Sequence, residues 1–201
     1  MAADLTRSLQ EELPAVRLPR ALAESVEIMQ GLAEFAIDAG LTYLDNEPVT
    51  GLLAEPLYTE RYCLFVRADH AVAGRQHVTW GEAAALPLCL LTPNMQNRRI
   101  IDKAFQHGRH DPVPRLETNS VVNLYANVRR MGLASVMPEY FLHALGPLPD
   151  IRAIPLVEPE VEHSVGLVTL PREPAPRLIE ALTAAARTLR MKLKRPTLRS
   201  T

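Results

Sequence analysis

The sequence predicts an α/β fold, and three observations predict it. Short apolar runs that read as buried strands alternate with segments whose apolar residues recur every three or four positions. The 17 prolines fall between these segments rather than inside them, while glycine is sparse at 9; the chain is punctuated into many short elements. Its 201 residues are 47% hydrophobic and 22% charged, which excludes a disordered or fibrous chain and suffices for one large domain or two small lobes.

Leu5, Leu9 and Leu13 lie four apart and stop before Pro14, so residues 4–13 are expected to form a helix that the proline ends. An extended piece near 15–22 leads to a second helix opened by Glu24, with Val26, Met29, Leu32 and Ala33 on one face. Residues 36–41 read as a strand, 42–51 as a loop rich in turn formers, and 52–58 and 61–67 as two further strands. The polar break at 69–74 suits a crossing between lobes. Beyond it the spacing predicts a strand at 88–91, a helix at 94–107, a strand at 115–117 and a helix at 121–131. That last helix carries Val121, Leu124, Tyr125 and Val128 on one side, and Gly132 suits the left-handed residue that closes it. A strand follows at 134–137, with Pro138 placed to start a short helix. Strands at 151–156 and 163–170 and an amphipathic helix at 175–190 complete the chain. Such alternation implies largely parallel sheets.

Charge and cysteine usage exclude several function classes. The 22 basic residues are balanced by 23 acidic ones, a formal net of -1, so the body has no positive excess with which to hold phosphate backbones. Cys63 and Cys89 each lie in an apolar run, as expected of reduced packing residues in a cytoplasmic protein. The first residues show no basic region followed by an apolar stretch, and no run approaches the ~20 apolar residues of a membrane span. Glycine-rich phosphate loops, zinc-protease helices, paired CxxC motifs and nucleophile elbows are all missing. His107 and His110 lie three apart with only Asp111 nearby, which reads as a solvated helix end rather than a metal site. His70, His77, His143 and His163 are isolated. Arg98-Arg99 and Arg129-Arg130 read as solvated helix faces. Arg187, Arg190, Lys192, Lys194, Arg195 and Arg199 read as a basic helix end that offsets the helix dipole, with DNA contact as the lesser alternative.

Two strand-to-helix junctions carry the functional signal. Leu91-Thr92-Pro93-Asn94 and Glu117-Thr118-Asn119-Ser120 each put hydroxyl and amide side chains where four backbone N–H groups lack partners. If the strands are parallel, both helix starts share the carboxyl edge of the sheet, where open α/β folds hold ligands and where a small anion such as a carboxylate would be favoured. Helix capping explains the same residues equally well one at a time. What favours a ligand is the coincidence of two such junctions, together with Thr42-Tyr43 after the strand at 36–41.

The residues from Glu24 through Phe35-Ala36-Ile37-Asp38-Ala39-Gly40-Leu41 resemble the effector-binding domain of LysR-type transcriptional regulators. So do Leu57 to His70, and Glu117-Thr118-Asn119-Ser120-Val121-Val122 leading to Met131-Gly132-Leu133-Ala134-Ser135-Val136-Met137-Pro138. In order and spacing these stretches span nearly the whole chain. The resemblance implies a two-lobed fold like type 2 periplasmic binding proteins, with lobe one at 1–66 plus 164–201 and lobe two at 67–163. It further implies a small-molecule effector held in a cleft by Thr42, Tyr43, Thr92, Asn94, Met95, Gln96, Asn119 and Ser120, with no cofactor, no metal and no catalysis. Family members work as homodimers or homotetramers, which would place residues 4–13 in a subunit contact. They bind DNA through an N-terminal winged helix-turn-helix and linker helix that this sequence lacks. The sequence also starts at the first helix of the effector domain, without the strand and hydroxyl-bearing loop that precede it in the family, so a missing cleft wall and an exposed sheet edge are expected. The alternatives are a stand-alone solute-binding protein, which an export signal would favour, and an enzyme on the same fold, which needs a charged acid–base pair in the cleft.

Overall fold

The computed structural model describes residues 2–14, 25–45, 50–146 and 148–193. The extended piece expected near 15–22, and Lys194, Arg195 and Arg199 of the basic end, lie outside them. The chain forms two compact units, residues 1–59 with 163–201 and residues 60–162.

In the first unit, helix α1 (Ala2–Glu12) buries Leu5 and Leu9 and packs on α7 (Arg177–Leu193), whose Leu182 and Ala186 are buried. Pro14 follows the last turn, as the spacing predicts. Helix α2 (Ser25–Ala33) corrects the predicted face: Ile28 and Leu32 are buried against Val168, while Val26 is 56% exposed and Ala33 is exposed. At about 100° per residue, Val26 and Ala33 share one side of the helix and Ile28 lies on nearly the opposite one.

Strand β1 (Ala39–Tyr43) starts three residues later than expected. The N–H groups of Ala36 and Ile37 both bond back to the Gly31 carbonyl, and Phe35 adopts φ 57, so the end of α2 consumes the residues that looked like strand. Thr42 and Tyr43 therefore belong to a strand rather than to a loop after one. β1 runs antiparallel to β8 (Glu162–Thr169), from Ala39 opposite Thr169 to Tyr43 opposite Val165. Gly40 lets α2 lie close, because a Cβ there would overlap the Ile28 side chain. On its other side β8 neighbours β2.

β2 (Leu53–Arg67) is one long strand where two were expected. Tyr58-Thr59-Glu60-Arg61 contains no turn former, and its tyrosine and threonine favour extended backbone. Its first part belongs to the first unit and its remainder, from Glu60, to the second.

In the second unit, β2 pairs antiparallel with β6 (Ser135–Pro138) and with β7 (Ile151–Val157), and β7 pairs parallel with β3 (Val78–Thr79). β4 (Cys89–Leu91) pairs parallel with β5 (Leu116–Thr118). The expectation of largely parallel sheets thus fails for β1/β8, β2/β6 and β2/β7. Parallel neighbours need a crossover between them, usually a helix; β4–α4–β5 is such a unit, with α4 at Gln96–His107. Helix α5 (Val121–Met131) has the bounds its periodicity predicts, burying Leu124 and Val128 and ending at Gly132 with φ 66. Pro138 ends β6 opposite Tyr62 instead of opening α6 (Tyr140–Leu145), because β2 continues the ladder through the Glu139 N–H to the Arg61 carbonyl.

Two packed centres hold this unit. Cys63, Phe65, Cys89, Leu124, Val128 and Met137 share one apolar cluster. Burial pushes the Cys63 thiol up to about 12, so neither its depth nor its ionisation suits redox chemistry. At the other centre, Trp80 opens the short helix α3 (Trp80–Ala84), fully buried, its indole edge-on to Phe105 at 5.0 Å and its Nε1–H donating to the Pro159 carbonyl at 2.9 Å. Thr79 and Glu82 form a reciprocal capping box at that helix start. Arg75, followed by the Thr79 backbone N–H, holds the Glu82 carboxyl down at about 2. The ionised box is retained as pH falls through the ordinary carboxylate range and is lost only near 2.

Candidate functional site

The site is built by the β4–β5 pair. Parallel register sets Leu91 opposite Thr118, so both strands end at one edge, and the Thr92 N–H donates to the Thr118 carbonyl at 3.0 Å. Thr92, Asn94, Met95 and Gln96 at the first junction are thereby brought beside Asn119 and Ser120 at the second. This is the arrangement the sequence required of two equivalent strand-to-helix turns.

The two helix starts differ chemically. At α5 capping is realised: Ser120 Oγ accepts the Asn123 N–H at 3.4 Å, and Thr118 Oγ1 accepts the Ser120 N–H at 3.1 Å. At α4 it is not. The N-cap is Met95, which has no side-chain oxygen and leans on the apolar cluster of Cys89 and Leu124. The Met95 N–H closes a tight turn onto the Thr92 carbonyl at 3.0 Å. Thr92 Oγ1 is buried and has no hydrogen-bond partner among the described residues, and the same holds for Asn97 Oδ1 in the first turn of α4. Asn94 and Asn119 have exposed side chains, while Gln96 and Ser120 are half-buried. The uncapped N-cap position, Met95, therefore lies three residues past an unpartnered hydroxyl.

Two arginines expected as solvated helix faces belong to this structure instead. Arg98 is only 7% exposed. Its guanidinium donates to the Leu91 carbonyl, to Glu117 Oε1 and to Asp102 Oδ1, each at 2.6 Å. Burial works against its charge, and the bonds to Asp102 and Glu117 outweigh it, so its pKa rises. Arg99 Nη1 donates to the Asn94 carbonyl at 2.7 Å, bracing the turn. The four-residue spacing of Arg98 and Asp102 is legible in the sequence; the bond to Glu117 on β5 is a tertiary contact that spacing does not reveal.

The other two expected ligand residues belong to the first unit. Thr42 is buried in β1 opposite Gly166. The Tyr43 ring stands edge-on to the His163 imidazole at 5.8 Å, and His163 Nδ1 lies 3.2 Å from Asp45 Oδ1. His163 is thus a partnered, mostly buried residue and not an isolated surface one. Among the described residues no group of three or more His, Cys, Asp or Glu side chains is placed to hold a metal ion. The His110 ring lies over Gly81, where a Cβ would come within 2.7 Å of Nε2, so it packs two segments together rather than marking a solvated end.

Comparison with known proteins gives the family and the fold. The family described as LysR substrate binding domain matches residues 1–190. A curated relative from Synechocystis sp. (strain ATCC 27184 / PCC 6803 / Kazusa), named "Probable nitrogen assimilation transcriptional activator", is 24% identical over 112 residues, 56% of this chain and 36% of the relative. The chain therefore spans about a third of that relative's length. The OxyR regulatory domain of Pseudomonas aeruginosa superposes with TM-score 0.77 at 21% identity, covering 92% of this chain and 90% of that one. Full-length OxyR from the same organism gives 0.79 at 20% identity, covering 92% and 64%. CbnR in complex with its target DNA gives 0.73 at 16% identity, covering 94% and 65%. At these identities the structural likeness carries the fold, a periplasmic-binding-protein-like α/β fold. The match over residues 1–190 carries the membership: the chain belongs to the LysR substrate-binding domain family.

Proposed function

We propose that this chain is the effector-sensing regulatory domain of a LysR-type bacterial transcription regulator, and that it binds a small organic anion at the β4–α4 and β5–α5 junctions. The observation that carries the reading is the buried, unpartnered Thr92 hydroxyl beside the uncapped start of α4. Buried polar groups nearly always find a partner, and the first-turn N–H groups of a helix favour negative charge. A carboxylate seated there would meet both needs at once. Met95, Gln96, Asn119 and Ser120 would complete the contacts within the second unit. Neutral hydroxyls and amides suit binding and supply no acid–base pair, so the domain senses without catalysing. It would act in the cytoplasm as a homodimer or homotetramer and signal to a DNA-binding domain on the same polypeptide. No helix among the described residues is long and apolar enough to cross a membrane.

Calorimetric titration of the folded chain with acetate, succinate, malate, citrate and benzoate tests the reading. Saturable heat is expected with at least one of them. Thr92→Val should then lose about 1.5–3 kcal/mol of binding, the worth of a hydrogen bond to a charged group, which is roughly a tenfold or greater rise in Kd. Its melting temperature should not fall, since the hydroxyl has no bond to lose in the free chain. No heat from any of the five, in a sample that unfolds cooperatively, would overturn the reading.

A further inference from the structure

We infer that Arg98 is a positioning residue of the effector site, whose guanidinium fixes the two junctions against each other from beneath. This rests on the proposed site. Leu91, whose carbonyl takes one Nη1 bond at 2.6 Å, is the residue immediately before Thr92. Glu117, whose Oε1 takes another at 2.6 Å, immediately precedes Thr118, the residue that accepts the Thr92 N–H. Nε reaches Asp102 Oδ1, one turn further along the same helix, at 2.6 Å and holds the guanidinium in place from α4 itself. One side chain thus holds the last residue of β4, the strand beside it and the helix between them.

A buried charge is a costly way to join three elements, because a well-packed apolar side chain of similar size is often as stabilising or more so. What the guanidinium adds is geometry. Its rigid planar fork holds a carbonyl and two carboxylates at fixed angles, which neither an aliphatic side chain nor the single ammonium of lysine can do. Two adjacent junctions need their free N–H groups and hydroxyls aimed at a common point, and displacements of about 1 Å are enough to cost such sites much of their effect.

The test uses the full chain. Arg98→Lys keeps the charge and loses the fork. Glu117→Ala removes the half-exposed partner, and Glu117→Gln keeps an acceptor oxygen for Nη1. In the free protein, amide hydrogen exchange at Thr92 is expected to speed up at least tenfold in Arg98→Lys and Glu117→Ala. It should stay near the unaltered rate in Glu117→Gln, with amides of β2 and β7 unchanged in all three. Calorimetry with whichever of the five carboxylates binds the unaltered chain should show Kd raised at least tenfold in the first two variants and less than threefold in Glu117→Gln. Should Arg98→Lys fail to fold, the two Glu117 variants decide. Unchanged Thr92 exchange in Glu117→Ala would overturn the inference, as would an unchanged Kd. Absence of binding by the unaltered chain would overturn the effector reading instead, with the exchange result still judging Arg98.

Discussion

Trp80→Ala is expected to destabilise the second unit by about 3–5 kcal/mol, the range for deleting a large aromatic side chain from a core. The indole is fully buried, stands edge-on to Phe105 at 5.0 Å and tilted to Tyr62 at 6.4 Å, and donates its one N–H to the Pro159 carbonyl. Truncation removes the packing of three segments and leaves a carbonyl unbonded. For a chain of this size that corresponds to a melting point lower by roughly 10 °C. Trp80→Phe keeps most of the ring contact and loses the hydrogen bond, so a smaller loss of about 1–2 kcal/mol is expected. Urea unfolding followed by circular dichroism measures both. In the unaltered chain, which holds a single tryptophan, fluorescence reports the same transition from one known site. An alanine variant within 1 kcal/mol of the parent, against the ~3 kcal/mol floor of that range, would mean that the ring is not packed as described.

Gly166→Ala is expected to destabilise the first unit by about 1–3 kcal/mol, and Gly166→Val by more, through overpacking. Propensity alone predicts the opposite sign, since glycine weakens a strand and valine favours one. The structure reverses that expectation. A Cβ at Gly166 would lie 2.7 Å from the Glu55 backbone carbonyl and 2.6 Å from Leu44 Cδ1. Leu44 can rotate away, whereas Glu55 is part of β2 and its carboxylate is held by Arg187 at 2.9 Å. The neighbouring strand would have to shift. Urea denaturation decides the sign: an alanine variant as stable as the parent would remove the close approach of β8 and β2.

Which parts of this were legible in the sequence follows from the range of the forces involved. Local signals suffice for some elements: the period of Leu124 and Val128 and the glycine after Met131 set the limits of α5, and Pro14 after Leu9 and Leu13 sets the end of α1. The two strand-to-helix junctions were legible because hydroxyls and amides at helix starts are a short-range pattern, and the parallel pairing that joins them followed from the helix between β4 and β5. Structure departs from the local pattern where a tertiary contact or an unusual backbone state decides. Phe35 at positive φ extended the end of α2 and displaced β1, while Ile28 faced the core because Gly40 left room for it. At the site itself, capping and ligand binding were indistinguishable from residue types. Only the geometry separated Ser120, which caps, from Thr92, which does not. Arg98 reads as a solvated helix face because an arginine in the first turn of a helix looks exposed until its bond to Glu117 on the neighbouring strand is seen.

A small anion held by the uncapped start of α4 and the Thr92 hydroxyl must perturb the backbone amides around it. The most direct measurement is an amide chemical-shift titration of the isotope-labelled chain with whichever carboxylate gives saturable heat. The largest shifts are expected on Gln96, Asn97 and Arg98 and on Asn119 and Ser120, moving together to saturation, with Thr92→Val needing roughly tenfold or more carboxylate to reach the same shifts. Saturable shifts confined to other parts of the chain, with these amides unmoved, would contradict that placement of the anion.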